Sequence, residues 1–449
     1  MPPRRNNRFP KQLDEAIRSG DFSRFVKLSS RKGYVNSIDI NADDVLSGHT
    51  LMESVISCHG NSHHAAAPES LFRKFVEALL SLGFDKTNQR GVQIPIFYCV
   101  SRNYPEALII LIGDYHFPYK KRDLPVNVSL GLMHHVVAAS RCNELLPRLF
   151  HFLGNSFSRL INERGDMLRS SGDTPLIHFV KIWQLRDTPA SAIFVLINHG
   201  ADPFGTNGLG MTILHVFAQE RWPASSLMWD QMRLVTNRFP DLIDKRTPDG
   251  KNALFYCGSG DMVRFLVTIG MDCLALDNEG RCAAFYATHG VIKVMAEYPF
   301  HLNCIDRRNI SLLWSYFLKF RSRNGVRWKT IRFLMTCDQI PHNSRHGPRR
   351  KTLLGMIYSD GFIESDLVRQ LIVGRLCDPF EKDLDGLDAI GHLAIRTFHG
   401  GFHGYCQQNP FFSLDDLMNI YGGSYESLKR DLVFQQIQLI VSITGTFRP

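Results

Sequence analysis

The stretch Gly172–Phe179, GDTPLIHF, and the run Ala192–Phe217, AIFVLINHGADPFGTNGLGMTILHVF, decide how this chain folds. Thr174 suits the position just before a helix, where its hydroxyl accepts a hydrogen bond from a backbone N–H that the helix leaves unsatisfied. Pro175 then suits the first helical position, because its missing N–H would be orphaned there anyway. The segment from Ala192 has the apolar spacing of a second, amphipathic helix, and Gly200 supplies the left-handed residue that closes it without a side-chain penalty. GTNGLG, Gly205 to Gly210, reads as a turn, after which GMTILHVF restarts the first frame.

The frame returns as GKNALFYC from Gly250, GRCAAFYA from Gly280 and GLDAIGHL from Gly386, and MVRFLVTIGMDCLALDNEG from Met262 repeats the second-helix layout. These residues resemble the ankyrin repeat, whose pattern runs G-x-T-P-L-H-x-A, then a second helix ending L-L-x-x-G-A-D, then a hairpin loop. Gly172, Thr174, Pro175 and Leu176 match its start, and Gly200, Ala201 and Asp202 match its end. Weaker copies are GHTLMESV at Gly48 with FVEALLSLGFD at Phe75, IPIFYC at Ile94, LMHHVV at Leu132, NISLLWSY at Asn309 and RKTLLGMI at Arg350. The copies number about ten, at spacings of roughly 29 to 43 residues, against about 33 in a regular array.

The resemblance implies an all-α solenoid of stacked helix pairs with hairpin loops and helical caps. One pair cannot bury its apolar face alone, so copies must stack, and stability becomes a sum over neighbouring interfaces. The expected organisation is a basic tail over 1–11, a capping helix pair over 12–45, a degenerate repeat array over 46–398 and a helical cap over 399–449. Asp21 is the candidate cap within LDEAIRSGDFSRFVKLSS, and Ser413 and Ser427 are candidate caps at the carboxyl end.

Composition limits the remaining choices. With 449 residues, 44% hydrophobic and 21% charged, the chain matches a folded protein and excludes disorder or a fibre as its main state. The aliphatic stretch Ala107 to Ile112 is far short of the roughly 20 residues that span a bilayer, and no apolar signal core follows Met1 to Lys11. Ten cysteines without short-spaced pairs predict reduced thiols in an intracellular protein, cytoplasmic or nuclear.

Chemistry-bearing residue types are present without the spacing that chemistry needs. His215 falls where the resemblance implies a structural imidazole that bridges neighbouring loops. GTNGLG follows a loop rather than a strand and lacks the dinucleotide-binding spacing. Cys58, His59, His63 and His64 sit in an insertion that reads as a solvated loop, and His399, His403 and Cys406 sit in a Gly-rich segment; neither offers the two separated ligand pairs of a zinc site. Cys257, Cys273, Cys282 and Cys304 fall in repeat frames and read as small apolar fillers. No nucleophile with a base, no carboxylate pair and no phosphate cradle is visible. The expectation is no catalysis, no cofactor and no metal.

Charge marks two surfaces. Lys plus Arg outnumber Asp plus Glu by 52 to 43. The stretch holding Arg321, Arg323, Arg327, Lys329, Arg332, Arg345, Arg349, Arg350 and Lys351 contains a single acid, Asp338. It reads as a solvated insertion around a second helix, or as an anion-attracting face. Smaller basic runs are Arg4, Arg5, Arg8 and Lys11, and Lys120, Lys121 and Arg122. The resemblance implies partner contact along the concave face and at the hairpin tips, the tip residues being Phe204, Asn207, Lys245, Arg246, Asp249, Asp277, Asn278, Glu279, Arg307 and Arg308. The leading expectation is therefore a monomeric interaction scaffold for a protein partner. Its alternative is a nuclear co-regulator whose basic face binds acidic protein segments or chromatin. An enzyme with a hidden site near the carboxyl terminus is a third reading, and it would require bound metal or cofactor. Sequence-specific DNA reading is disfavoured, because no leucine heptads follow the basic tail.

Overall fold

The computed structural model describes residues 9–35, 38–44, 49–60, 69–88, 94–125, 128, 130–139, 142–167, 171–183, 192–220, 227–319, 326–335, 337, 351–352, 354–355, 381–384 and 392. Among them every regular element is a helix, and extended pairing is confined to isolated bridges at Asp43–Thr50, Leu276–Cys282 and Ile305–Ser311. The chain divides into two compact units, Met1–Pro248 and Asp249–Pro449.

In the first unit, α1 (Lys11–Arg18) and α2 (Phe22–Ser29) form an opening pair, with the Asp21 carboxylate accepting from the Arg24 N–H at 2.8 Å as the cap of α2. A short α3 (Lys32–Val35) follows. The pairs are then α4 (Leu51–His59) with α5 (Glu69–Ser81), α6 (Pro95–Ser101) with α7 (Pro105–Gly113), and α8 (Leu132–Val137) with α9 (Cys142–Leu153). After a turn of helix, α10 (Phe157–Leu160), come α11 (Pro175–Ile182) with α12 (Ala192–Asn198), and α13 (Ile213–Gln219) with α14 (Met228–Arg238). First helices stack in the order α1, α4, α6, α8, α11, α13, and second helices α7, α9 and α12 stack beside them.

Local chemistry explains these boundaries. The Thr174 hydroxyl accepts from the Ile177 N–H at 3.3 Å and Pro175 opens α11. Thr50 and Glu53 form a reciprocal capping box on α4, which satisfies two orphan donors at once. Leu176, Ile177, Phe179 and Val180 of α11 are buried, each contributing about 1.5–3 kcal/mol of transfer free energy. The aliphatic stretch Ala107–Ile112 lies within α7, and no helix among the described residues is long and apolar enough to cross a membrane.

The second unit keeps the frame but shortens its first helices. Ala253–Tyr256 and Ala283–Tyr286 are single 3-10 turns, followed by α15 (Gly260–Thr268) and α16 (His289–Met295). A full pair then returns as α17 (Leu312–Lys319) and α18 (Val326–Met335). The two turns stack on each other and the second also packs on α17, while α15 and α18 flank α16. The expected carboxyl-terminal cap, with Ser413 and Ser427, lies outside the described residues, as do residues 1–8 of the basic tail.

Candidate functional site

Asn207, Asp277 and Asp306 occupy the same place in three hairpin loops, and each folds its loop around its own side chain. Oδ1 of Asn207 accepts from the Leu209 and Met211 N–H groups, both at 3.0 Å. Oδ1 of Asp277 accepts from Glu279 and Arg281, and Oδ1 of Asp306 from Arg308 and Ile310, all at 2.9 Å. Three residues further on, Gly210, Gly280 and Asn309 take positive φ of 74°, 76° and 60°, which Gly accepts without strain and Asn tolerates better than most residues.

These loops are joined edge to edge by their backbones. In the first unit the Gly208 N–H donates to Ser171 O at 2.8 Å. In the second, Asn278 N–H donates to Asp249 O and Arg307 N–H to Glu279 O, both at 2.9 Å. The tips of the second unit thus form a ladder whose backbone is fixed before any partner arrives.

Side chains divide between holding this ladder and facing solvent. Asn207 and Asp277 are buried: Nδ2 of Asn207 donates to Asp173 Oδ1 at 3.1 Å, and Oδ2 of Asp277 accepts from the Tyr286 hydroxyl at 2.6 Å. Phe204 is half-buried, edge-on to Phe239 and covered by the Lys245 ammonium at 5.3 Å from its ring centre. Lys245 and Arg246 are exposed in the first unit, and Asp249, Asn278, Glu279, Arg307 and Arg308 are exposed in the second. Asp249 pairs with Lys251 at 3.6 Å, and Arg308 stands 4.0 Å from Glu279.

Residues the sequence did not single out complete this surface. Arg281 donates twice to Asp306 Oδ2 at 3.1 Å, so one loop clamps the next. Lys251 lies 4.4 Å from the centre of the Tyr286 ring. Burial and then the hydrogen bond to Asp277 push the Tyr286 hydroxyl up to about 12. Leu274, Leu276 and Ile305 add exposed apolar area to the same loops. Fixed charges beside exposed aliphatic groups suit recognition of a polypeptide.

The other candidates are placed as follows. His215 Nδ1 bonds the Thr212 hydroxyl at 2.8 Å and receives its N–H, closing a capping box on α13. His134 also bridges copies, its Nε2 lying 2.8 Å from Asp173 O in the next one. Cys58 and His59 end α4 rather than lying in a solvated loop. His59 is buried, stacked on Phe75 with ring centres 5.1 Å apart, and its Nε2 lies 2.7 Å from Ile17 O; that contact and its apolar surroundings are why it turns inward. His63, His64, His399, His403 and Cys406 lie outside the described residues. Among the described residues no group of three or more His, Cys, Asp or Glu side chains is placed to hold a metal ion.

Cys257 and Cys282 are buried, and Cys273 and Cys304 half-buried. A hydrogen bond between the Cys282 and Cys304 thiols pushes the first up and the second down. Of the basic stretch, Lys329 is exposed, Lys351 is half-buried, and Arg327 and Arg332 lie on α18. Arg321, Arg323, Arg345, Arg349 and Arg350 lie outside the described residues.

Comparison with known proteins gives fold likeness only. No family model matches the chain, and no curated protein matches it. One similar solved structure is titled the Bd0816 predatory endopeptidase from Bdellovibrio bacteriovorus in complex with immunity protein Bd3460. The match there has 20% identity over 47% of this chain and 92% of that one, with a TM-score of 0.31. Another is the ankyrin repeat domain of Bcl-3, a member of the IkappaB protein family, at 16% identity over 54% of this chain and 98% of that one, with a TM-score of 0.38. At such overlap the fold rests on the molecule's own geometry: helix pairs closed by left-handed glycines and joined through hairpin loops are the ankyrin-repeat arrangement, and every regular element among the described residues is helical.

Proposed function

We propose that this protein is a non-catalytic intracellular scaffold that binds a protein partner through its hairpin tips and the adjoining turns. The observation that supports this reading is the ladder of the second unit. Asp277 and Asp306 spend their carboxylates inside the loops, so Asn278, Glu279, Arg307 and Arg308 stand exposed on a backbone that loses little entropy on binding. Asn207 and Asp277 are left out of the contact set because their side chains are occupied within the fold.

The test is co-purification of the tagged full-length protein from its own cells, with and without nuclease, beside two charge-reversed variants. Arg307→Glu with Arg308→Glu should remove a defined protein partner that survives nuclease. Arg327→Glu, Arg332→Glu, Arg349→Glu and Arg350→Glu should leave that partner in place. If the second set instead strips an acidic or nuclear partner while the first does nothing, the co-regulator reading replaces this one. Binding through that face would also weaken steeply with ionic strength.

A further inference from the structure

The run Lys120–Arg122 belongs to the first unit and plays no part in the scaffold surface above. It borders a pocket of about 180 Å³ in the first unit, lined by Lys120, Arg122, Ser156, Arg159, Leu160 and Glu163. Two separate segments build it: the chain after α7 supplies Lys120 and Arg122, and α10 with its flanking residues supplies the rest. We propose that this pocket binds a phosphate monoester carried on a polypeptide partner. The proposal rests on the scaffold reading, and it adds a chemical class for one of the partner's groups.

Three cations line the pocket. Lys120 and Arg159 have no ion-pair partner among the described residues. Lys120 only lies over the Tyr119 ring, at 5.5 Å from its centre. Arg122 meets its own neighbour Asp123 at 3.6 Å with its side chain 78% exposed, a contact worth little in water and easily exchanged. A phosphate monoester carries close to two negative charges at neutral pH and offers three acceptor oxygens, matching two guanidinium forks, an ammonium and the Ser156 hydroxyl. Leu160, which is buried, supplies the apolar part of the lining.

The acids select among anions. Glu163 within the pocket and Asp123 beside it would repel the neighbouring charges of a nucleic-acid strand or an anionic bilayer. A single phosphate brings only about two negative charges to the three cations and so meets less of that repulsion than a strand or a bilayer does. That favours a phosphorylated polypeptide segment over a polyanionic surface.

Full-length protein is passed over two immobilised peptide libraries, identical except that one carries phosphoserine at its fixed position. Vesicles of phosphatidylcholine with and without phosphatidylserine serve as a third arm. The expected result is retention by the phosphoserine library at least about tenfold above the other, the size expected for charge-assisted hydrogen bonds. Retention should fall with added salt and with inorganic phosphate as competitor. Lys120→Ala with Arg159→Ala should abolish the preference, Arg159→Lys should restore part of it, and Arg233→Ala, at an exposed site on α14, should leave it unchanged. Arg159 is exposed and Lys120 half-buried, and circular dichroism of each variant checks the fold. Equal retention by the two libraries, binding only to phosphatidylserine vesicles, or a preference untouched by the double substitution would each overturn the proposal. A protein that keeps its partner in the co-purification yet ignores the phosphoserine library loses this inference alone.

Discussion

Asp306 carries more of the second unit than its size suggests. Its side chain is 1% exposed, accepts two backbone N–H groups through one oxygen and takes Arg281 on the other. Asp306→Ala should therefore cost about 2–4 kcal/mol, since it orphans donors and a half-buried guanidinium together. Asp306→Asn keeps an acceptor and should cost about half as much. Denaturant unfolding of both variants checks the order; an Ala variant as stable as the parent would mean the loop holds without its carboxylate. His135 is a half-buried polar group of another kind. It stacks on Phe97 at 3.8 Å, and burial, with His134 and His178 adding to it, holds its pKa down at about 4. The imidazole is therefore neutral in the fold, whereas the unfolded chain takes up a proton near the ordinary value of about 6.5. Its contribution is complete above that pH and is lost as pH falls toward 4, at up to about 1.4 kcal/mol per pH unit. His135→Phe should flatten that slope in denaturant midpoints measured from pH 7.5 down to 4.5, and an unchanged slope would assign the loss to other groups.

At the level of elements, helix ends and loop turns fail for separable reasons. Gly270 closes α15 at φ 95° with open space where a Cβ would stand, so Gly270→Ala should cost only the conformational penalty, about 1 kcal/mol. Gly250 has φ 82°, and a Cβ there would stand 2.5 Å from Asn278 Oδ1 and 3.0 Å from the Asn278 backbone nitrogen. Gly250→Ala should cost clearly more, because it also pushes one rung of the ladder aside; equal losses in thermal unfolding would show that the rung yields freely. This contrast tracks what the sequence could tell. Thr174, Pro175, Gly200 and Gly270 announce helix ends because each solves a local backbone problem. The ladder is invisible in sequence, since Asn278 and Arg307 use backbone N–H groups that every residue but proline has. A partial signal did exist in the spacing of Asn41 and Asn162. Each is followed about one repeat later by Gly-x-Asp, and each side chain pins that turn, with Asn162 donating to Gly200 O and accepting from Asp202 N–H, both at 2.8 Å. The ordered lining of the Lys120 pocket comes from two distant segments, so only the basic half of it was legible.

At the scale of the molecule, stability in a repeat array is a sum of local terms and nearest-neighbour interfaces, so damage should stay near its source. The second unit has single 3-10 turns where the first has helices of six to nine residues, such as Leu132–Val137 and Leu51–His59. A short turn satisfies few of its own backbone groups, and its amides open at lower free energy. Native-state hydrogen exchange should therefore show 253–256 and 283–286 exchanging faster than α15 and α16 beside them, while α11 and α13 exchange as slowly as α12 and α14. In the Asp306→Ala variant the added exchange should centre on 277–316, where the carboxylate and its Arg281 clamp act, and should fade before α11. Acceleration spread evenly over both units would mean that the chain unfolds as one cooperative body. The tips of the second unit could then not be rigid while the turns behind them open, and the preformed ladder would lose its advantage in binding.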